Sequence, residues 1–387
     1  MKILVVTPQV PHSRVLSGHR IVYERIRRLA ARGHEVGVAC FGRAGDEAAA
    51  AEWDGVLREL ERVPPPETGA GDWLAAALTG VPAPFRNFRS GAMARRVGDM
   101  VERTRYDVVV AEFSVMAPFL HWNPWLPAVR RVVSVHQCET VASRKRAELL
   151  GYTPAGLWER RRRERLQRYE FGLYRAADCV LVLSPQERYQ LLQYAPDLRT
   201  VVIPSGVDTV RFRPAERAAP PDGLIFTGYY SHEQNRDAVR WFLANVWPRV
   251  RVRHPNLFFY IVGPDPPPDI RDSPWKDPRI IVTGEVDDVR PYLQRAAVFV
   301  SPTRMGSGMR GKLLEAMASE VPVVTTTVGV EGIPVQPGGD CLLADSADVM
   351  VEQVCLLLED EPLRLRVARR GRRSEEHTSE LQSRQSI

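Results

Sequence analysis

Residues Val298 to Ala318, VFVSPTRMGSGMRGKLLEAMA, constrain the fold more than any other stretch. Val298, Phe299 and Val300 form a short β-branched and aromatic run that reads as a buried strand. Gly306, Ser307 and Gly308 follow, where missing Cβ atoms let the backbone turn tightly and approach a ligand. Lys312 to Met317 are good helix formers. A helix opening after such a turn directs free N–H groups and the positive end of its dipole into the turn, which suits an anion. Arg310 and Lys312 add full charges, so a phosphate or diphosphate is the expected occupant. Glu315, three residues past Lys312, lies near the same helix face and suits sugar hydroxyls rather than phosphates. Together they describe a nucleotide site. Gly306-x-x-x-x-Gly311-Lys312 has P-loop spacing, but Leu313 replaces the Ser or Thr that would hold magnesium, so that reading is set aside.

The chain has 387 residues, long enough for two domains. No apolar run reaches membrane-spanning length. A secretory leader is not expected, because Lys2 precedes only Ile3-Leu4-Val5-Val6 before Pro8 interrupts. The five cysteines are scattered without a CxxC pair, and the eight histidines show no ligand spacing, so no structural metal is expected. A cytoplasmic setting follows from this cysteine usage. Between Arg144 and Arg175 ten Lys/Arg face four Glu, an excess equal to the whole net charge of +6. No nucleic-acid reading motif accompanies this patch, so nucleic acid is not an expected partner. Its bland reading is a solvated helix with Glu159/Arg163 and Glu164/Arg168 pairs at i,i+4. Its sharper reading, over 144–175, is contact with anionic lipid at the inner membrane surface or with a lipid-linked acceptor.

Taken in order, KILVVT (Lys2–Thr7) and HEVGVACF (His34–Phe41) read as strands buried on both faces, joined by a loop at Ser17-Gly18 and a helix from Arg20 to Ala31. Ile21, Ile26 and Leu29 are its expected inner positions, and Gly33 its C′ residue. Gly18 is either a turn residue or a ligand contact. Ala44–Arg62 reads as helix, and Val63–Phe88 as an irregular excursion. Tyr106–Phe113 and Val129–His136 read as strands. His136 closes the second of these, where open α/β sheets bind ligands, although a structural role is the alternative. Trp158–Arg175 reads as helix, and Ala177–Ser184 and Thr200–Ile203 as strands. The proline-rich stretch 211–223 separates a first domain, 1–210, from a second alternation, 224–373. In that second domain Asn235–Arg253 reads as one helix. The expected class is therefore α/β, with two Rossmann-like doubly wound domains facing a cleft.

With these residues placed, the chain resembles the retaining GT-B glycosyltransferases of family 4, in their exopolysaccharide branch. The likeness runs from Met1 to about Arg373. It rests on KILVVTPQVPHS, Arg32-Gly33-His34-Glu35-Val36, IPSGVD at 203–208, FTGYYSHEQNRDAVRWF, IVGPDPPPDI, VTGEVDDVRPYLQRA and GSGMRGKLLEAMASEVPVVTTTVGVEGI. The resemblance implies transfer of a hexose from a nucleotide-sugar, a substrate and not a cofactor, to a glycan or lipid-linked acceptor in polysaccharide biosynthesis, without a metal. By position, Lys312 and Arg310 would hold the donor diphosphate, Glu315 the ribose, and Ser307 and Gly308 would offer backbone N–H groups. Glu331 would reach sugar hydroxyls, His136 would lie against the donor sugar, and Gly18 near diphosphate and acceptor.

Two departures are visible. Many members carry Glu-x7-Glu ending at the Glu315 position, whereas Ser307 stands at the first of these sites here. The Arg and Lys common after the second domain's first strand are replaced by Asn235-Arg236, leaving Arg236 as a helper. The same architecture also serves nucleotide-sugar 2-epimerases and could serve a non-catalytic nucleotide-sugar binder. The tail 374–387, SEEHTSELQSRQSI, lacks an amphipathic face and resembles translated adapter sequence. It is expected to be non-native and to pack poorly, with no candidate for a helix crossing back to the first domain.

Overall fold

In the computed structural model, residues 1–13, 17–66, 81–214, 220–273 and 277–385 are described. They divide into two units, Met1–Ile203 and Pro204–Ile387. The contact boundary precedes the proline-rich stretch, because residues just after Ile203 already belong with the second unit. Arg211 lies in the field of Asp288, and Phe212 is fully buried.

The continuous apolar runs become parallel strands. In the first unit these are β1 (Lys2–Thr7), β2 (Glu35–Phe41), β3 (Glu59–Val63), β4 (Val108–Glu112), β5 (Arg130–Val135), β6 (Cys179–Val182) and β7 (Thr200–Val202). They form one sheet in the order β3-β2-β1-β4-β5-β6-β7. Every pairing is parallel. Alternation along β1 explains why it must be apolar throughout: Leu4 and Val6 enter one core and Ile3 and Val5 the other. Helix Gly91–Thr104 covers the first face with Met93, Val97 and Met100. Helix Ser17–Ala31 covers the second with Val22, Tyr23 and Ile26. Burying a side chain such as Ile26 contributes roughly 1.5–3 kcal/mol. That helix ends as expected: Gly33 takes φ +80°, its N–H reaches Ala30 O, and the His34 N–H reaches Leu29 O.

The second unit repeats the plan with β8 (Gly223–Thr227), β9 (Phe258–Val262), β10 (Ile280–Gly284), β11 (Ala296–Ser301), β12 (Val323–Thr325) and β13 (Leu342–Leu343). Their order is β10-β9-β8-β11-β12-β13, again parallel. Each sheet therefore reverses its winding beside its first strand, at β1/β4 and at β8/β11. Loops leaving the C-terminal ends of those strands diverge and leave room for a ligand.

Four expectations change. Residues 44–62 are not one helix: only Glu47–Ala51 is helical, and 59–63 form edge strand β3. Its charged sequence hides a strand because Glu59 is held by Tyr106 OH at 2.6 Å, Thr104 Oγ1 at 2.9 Å and Arg103. The expected helix over 235–253 breaks into Glu233–Asn245 and Trp247–Arg253, since Pro248 supplies no N–H to continue the ladder. The Ser17-Gly18 loop is instead the first turn of a helix. Finally, helix Glu361–Gln385 runs unbroken through the expected start of the tail. Val367 and Ala368 are buried, and Arg372 Nη1 donates to Ala318 O, which docks this helix on Gly311–Ala318. The side chains beyond Ser374, on which poor packing of 374–387 was expected, lie outside the described residues.

Just past the ends of β8 and β9 the two backbones run close together. Gly263 has φ +138°, and a Cβ there would lie 2.0 Å from Gly228 O. Gly263→Ala should cost about 2–4 kcal/mol in urea unfolding. Gly33→Ala, strained at φ +80° but in open space, should cost only about 1 kcal/mol.

Candidate active site

In the second unit, β11 ends at Ser301 and the helix Gly311–Ala318 begins after a loop, 302–310. Gly306 and Gly308 take φ +97° and +90°, so the GSG turn is left-handed at both glycines, as its sequence predicts. Lys312, in the first helical turn, is buried and its ammonium points to the end of β8. Nζ donates to Thr227 O at 3.1 Å and to Asn235 Oδ1 at 2.9 Å, and lies 3.9 Å from the Phe226 ring centre. Asn235 is fixed in turn by donating Nδ2 to Tyr229 O at 2.7 Å. Burial, and then the charge of Arg310, hold the Lys312 ammonium well below its ordinary pKa, while Glu315 pulls the other way. The site therefore contains a cation that lacks solvent and gains from an anion.

Arg310 braces the loop. Its Nη1 donates to Gly308 O, and its Nη2 lies 3.4 Å from Met305 O. A Cβ on Gly306 would lie 3.4 Å from that Nη2 and 3.5 Å from Gln234 Cδ, so the loop packs against the start of helix Glu233–Asn245. Ser307, Arg310, Lys312 and Glu315 are all buried. Gly308 shares this loop. Glu331, half-buried, follows β12 on the next loop, which Thr326 Oγ1 ties to the first by donating to Thr303 O. Arg236 donates Nη1 to Tyr230 O at 2.8 Å and Ser231 O at 2.7 Å, so it supports the turn after β8.

The first unit gathers a second set. His136 follows β5 and is buried, with Nε2 2.7 Å from Glu112 Oε2. Glu112 ends β4 and accepts from Arg25 Nη1 at 2.7 Å, which also donates to Ser134 Oγ at 2.8 Å. Burial alone would raise the Glu112 carboxyl; Arg25 first, then His136 and Ser134, overcome this and hold it down to about 2. Burial, aided by Arg25, lowers the His136 imidazole although Glu112 opposes it. An ionised Glu112 beside a neutral His136 assigns the proton to Nε2, which donates, and leaves a lone pair on Nδ1. Among the described residues, that buried Nδ1 has no hydrogen-bond partner.

Nδ1 faces the start of helix Ser17–Ala31. A Cβ on Gly18 would lie 3.4 Å from Nδ1 and 3.1 Å from Phe113 Cε1. Phe113 stacks on His136 with centroids 4.2 Å apart, and it does so from φ +70°, a strained conformation for an aromatic residue. Thus Gly18 and His136 lie side by side, together with Glu112, Arg25, Ser134 and Phe113, which were not foreseen. The signal available was Glu112 itself, a carboxylate closing the apolar run VVVAE.

Residues 18–211 match the family model described as Glycosyltransferase Family 4, and residues 221–360 match Glycosyl transferases group 1. The chain belongs to glycosyltransferase family 4. Among curated proteins, this family 4 chain is similar to the lipopolysaccharide core biosynthesis mannosyltransferase LpsB of Rhizobium meliloti (strain 1021), at 27% identity over 211 residues. That match covers 49% of this chain and 58% of the relative, so it spans little more than half the relative's length. Among solved structures, the sucrose-phosphate synthase of Thermosynechococcus elongatus aligns with TM-score 0.69 and 16% identity over 97% of this chain and 94% of that one. Anabaena HepE, solved in complex with UDP-glucose, aligns with TM-score 0.69 and 14% identity over 96% and 93%. Both carry the GT-B fold, which this chain shares.

The Glu112 carboxyl gives a test of the first-unit cluster. Its depressed pKa contributes stability above the unfolded value near 4.5, lost as pH falls towards about 2. Glu112→Gln should lose about 3 kcal/mol at pH 7 in urea unfolding, and its deficit against wild type should shrink as pH falls through that window.

Proposed function

We propose that the chain is a retaining glycosyltransferase that moves a hexose from a nucleotide-sugar to a glycan or lipid-linked acceptor in polysaccharide biosynthesis. The observation that carries this reading is Lys312: a desolvated ammonium held at the β8/β11 switch point, beside Arg310 and a helix start. Such a group has little to gain from a neutral ligand and much from a pyrophosphate. The naming of one relative as a mannosyltransferase and the UDP-glucose bound to HepE support it.

In this reading the second unit binds the donor. Lys312, Arg310 and the backbone N–H groups of Ser307 and Gly308 stabilise charge growing on the leaving diphosphate, with no metal or cofactor required. Glu315 accepts from ribose hydroxyls, and Glu331 from the sugar. In the first unit, the Nδ1 lone pair of His136 accepts from a sugar hydroxyl, and Glu112 holds the ring in that tautomer. Gly18, lacking a Cβ, lets the helix start approach Nδ1 and the Phe113 ring closely. The acceptor hydroxyl loses its proton to the departing phosphate as the new glycosidic bond forms on the same face. Ser307, in place of a carboxylate common in the family, makes the donor sugar a distinguishing trait of this chain.

The reading extends to the inner membrane surface. No helix among the described residues is long and apolar enough to cross a membrane. Helices Glu139–Leu150 and Pro154–Arg175 pack on one another. Glu159 faces Ser143 Oγ at 2.7 Å and Arg146 at 3.8 Å, not the expected Arg163. Around their connection Leu149, Tyr152, Leu157 and Trp158 are exposed. Arg160 lies over Tyr152 at 5.1 Å and Arg162 over Trp158 at 4.0 Å. Amphipathic rings among arginines suit an anionic headgroup layer, and a lipid-linked acceptor would be met there. Vesicles containing phosphatidylglycerol should sediment the protein at low salt, and Trp158→Ala with Arg162→Ala should weaken this. Equal binding to neutral vesicles would contradict it.

Incubation with radiolabelled UDP-, GDP- and ADP-hexoses separates transfer from an epimerised donor or from binding alone. Lys312→Ala should lower kcat/KM by ~10²–10³. Above the depressed pKa of free Lys312, where part of the amine is neutral, donor binding should also take up a proton, since pyrophosphate raises that pKa, so affinity falls as pH rises between the free and bound values. Calorimetry in two buffers of different ionisation enthalpy reads this uptake, which Lys312→Met should abolish.

A further inference from the structure

At the other end of the second sheet, three unlike side chains converge. Helix Trp247–Arg253 ends at His254, ahead of β9, and helix Ala347–Glu359 brings Cys355 and Glu359 onto one face at i,i+4. A ring nitrogen of His254, Cys355 Sγ and a Glu359 carboxylate oxygen all lie within 4.8 Å of one another. Cys355 is fully buried, and His254 is about one-fifth exposed at its side chain. His254 Nε2 approaches Glu359 Oε1 to 3.2 Å, yet among the described residues it makes no hydrogen bond. Arg253 Nη2 holds the same carboxylate, at 2.7 and 2.8 Å from its two oxygens.

We propose that His254 Nε2, Cys355 Sγ and one oxygen of Glu359 bind a single Zn²⁺ ion, with water as fourth ligand. Tetrahedral zinc with Zn–N and Zn–O bonds near 2.0–2.2 Å separates those two ligand atoms by about 3.3 Å. The observed 3.2 Å already matches this. A thiolate ligand at ~2.3 Å would lie about 3.6 Å from each, within reach of a small side-chain rotation. The borderline-soft set of thiolate, imidazole and carboxylate selects zinc over magnesium or calcium. On binding, the Cys355 thiol releases its proton to solvent, and Arg253 keeps the second carboxylate oxygen. The ion would clamp two helix ends that strand direction separates from Lys312, so it supports the unit and takes no part in sugar transfer. Sequence spacing did not foresee it because His254 is remote from the Cys355/Glu359 pair in the chain.

The full-length protein, stripped with chelator and titrated with Zn²⁺ alone, should bind one equivalent. Saturating zinc, at about a hundredfold over Kd, should raise Tm by roughly 5–10 °C. Co²⁺ in its place should give a thiolate-to-metal charge-transfer band. Cys355→Ser should lose that band, and His254→Gln, at a less buried position that spares the core, should weaken zinc binding by about tenfold or more. Substoichiometric zinc, a band surviving in Cys355→Ser, or unchanged affinity in His254→Gln overturns the proposal. Failure of sugar transfer does not bear on it, because the readouts are metal binding and Tm.

Discussion

A single buried ammonium organises the second unit. Lys312 links the helix that opens after the glycine turn to the end of β8 and the start of helix Glu233–Asn245. Removing an ion from water is costly, and the two hydrogen bonds and the Phe226 ring offset only part of that cost. Burial, and then the charge of Arg310, accordingly lower its pKa. The unit thus holds a cation whose best partner is an anion delivered by the ligand. Arg310 maintains the loop shape around it by bonding the loop's own carbonyls, so the turn is formed in advance of any ligand.

The first unit solves a different problem: keeping one imidazole neutral and oriented. A buried carboxylate beside a histidine would ordinarily favour the imidazolium. Burial prevents this, helped by Arg25, which takes up the Glu112 charge from the other side. Nε2 is then committed to Glu112 and Nδ1 is left with a lone pair at the tip of a helix. The positive φ of Phe113, between the carboxylate and the residues that follow, places its ring flat on His136. Strain at that position is consistent with a site in which ring orientation matters more than local stability.

Much of this was legible in the residues. Runs such as KILVVT and HEVGVACF suit strands covered on both faces, and their alternation with helices implies parallel sheets. Gly306 and Gly308 take the left-handed backbone that their type suggests. Less legible were elements stabilised from a distance. Strand β3 reads as helix because its pattern is dominated by charge, and only the Glu59–Tyr106 bond and its neighbours reveal why it stays extended. The break at Pro248 was readable from proline chemistry, but the amphipathic pattern on either side overrode it.

The sequence by itself determined the α/β class, the glycine turn, and the residue types needed to hold a pyrophosphate. These follow from local rules: periodicity, backbone freedom and charge. Only the tertiary structure decided what those residues touch. Lys312 meets Thr227 and Asn235, which lie 85 and 77 positions away. Glu112 meets His136 across 24 positions and Arg25 across 87. The protonation state of each follows from burial and from the partners that folding supplies, and no spacing in the chain encodes either.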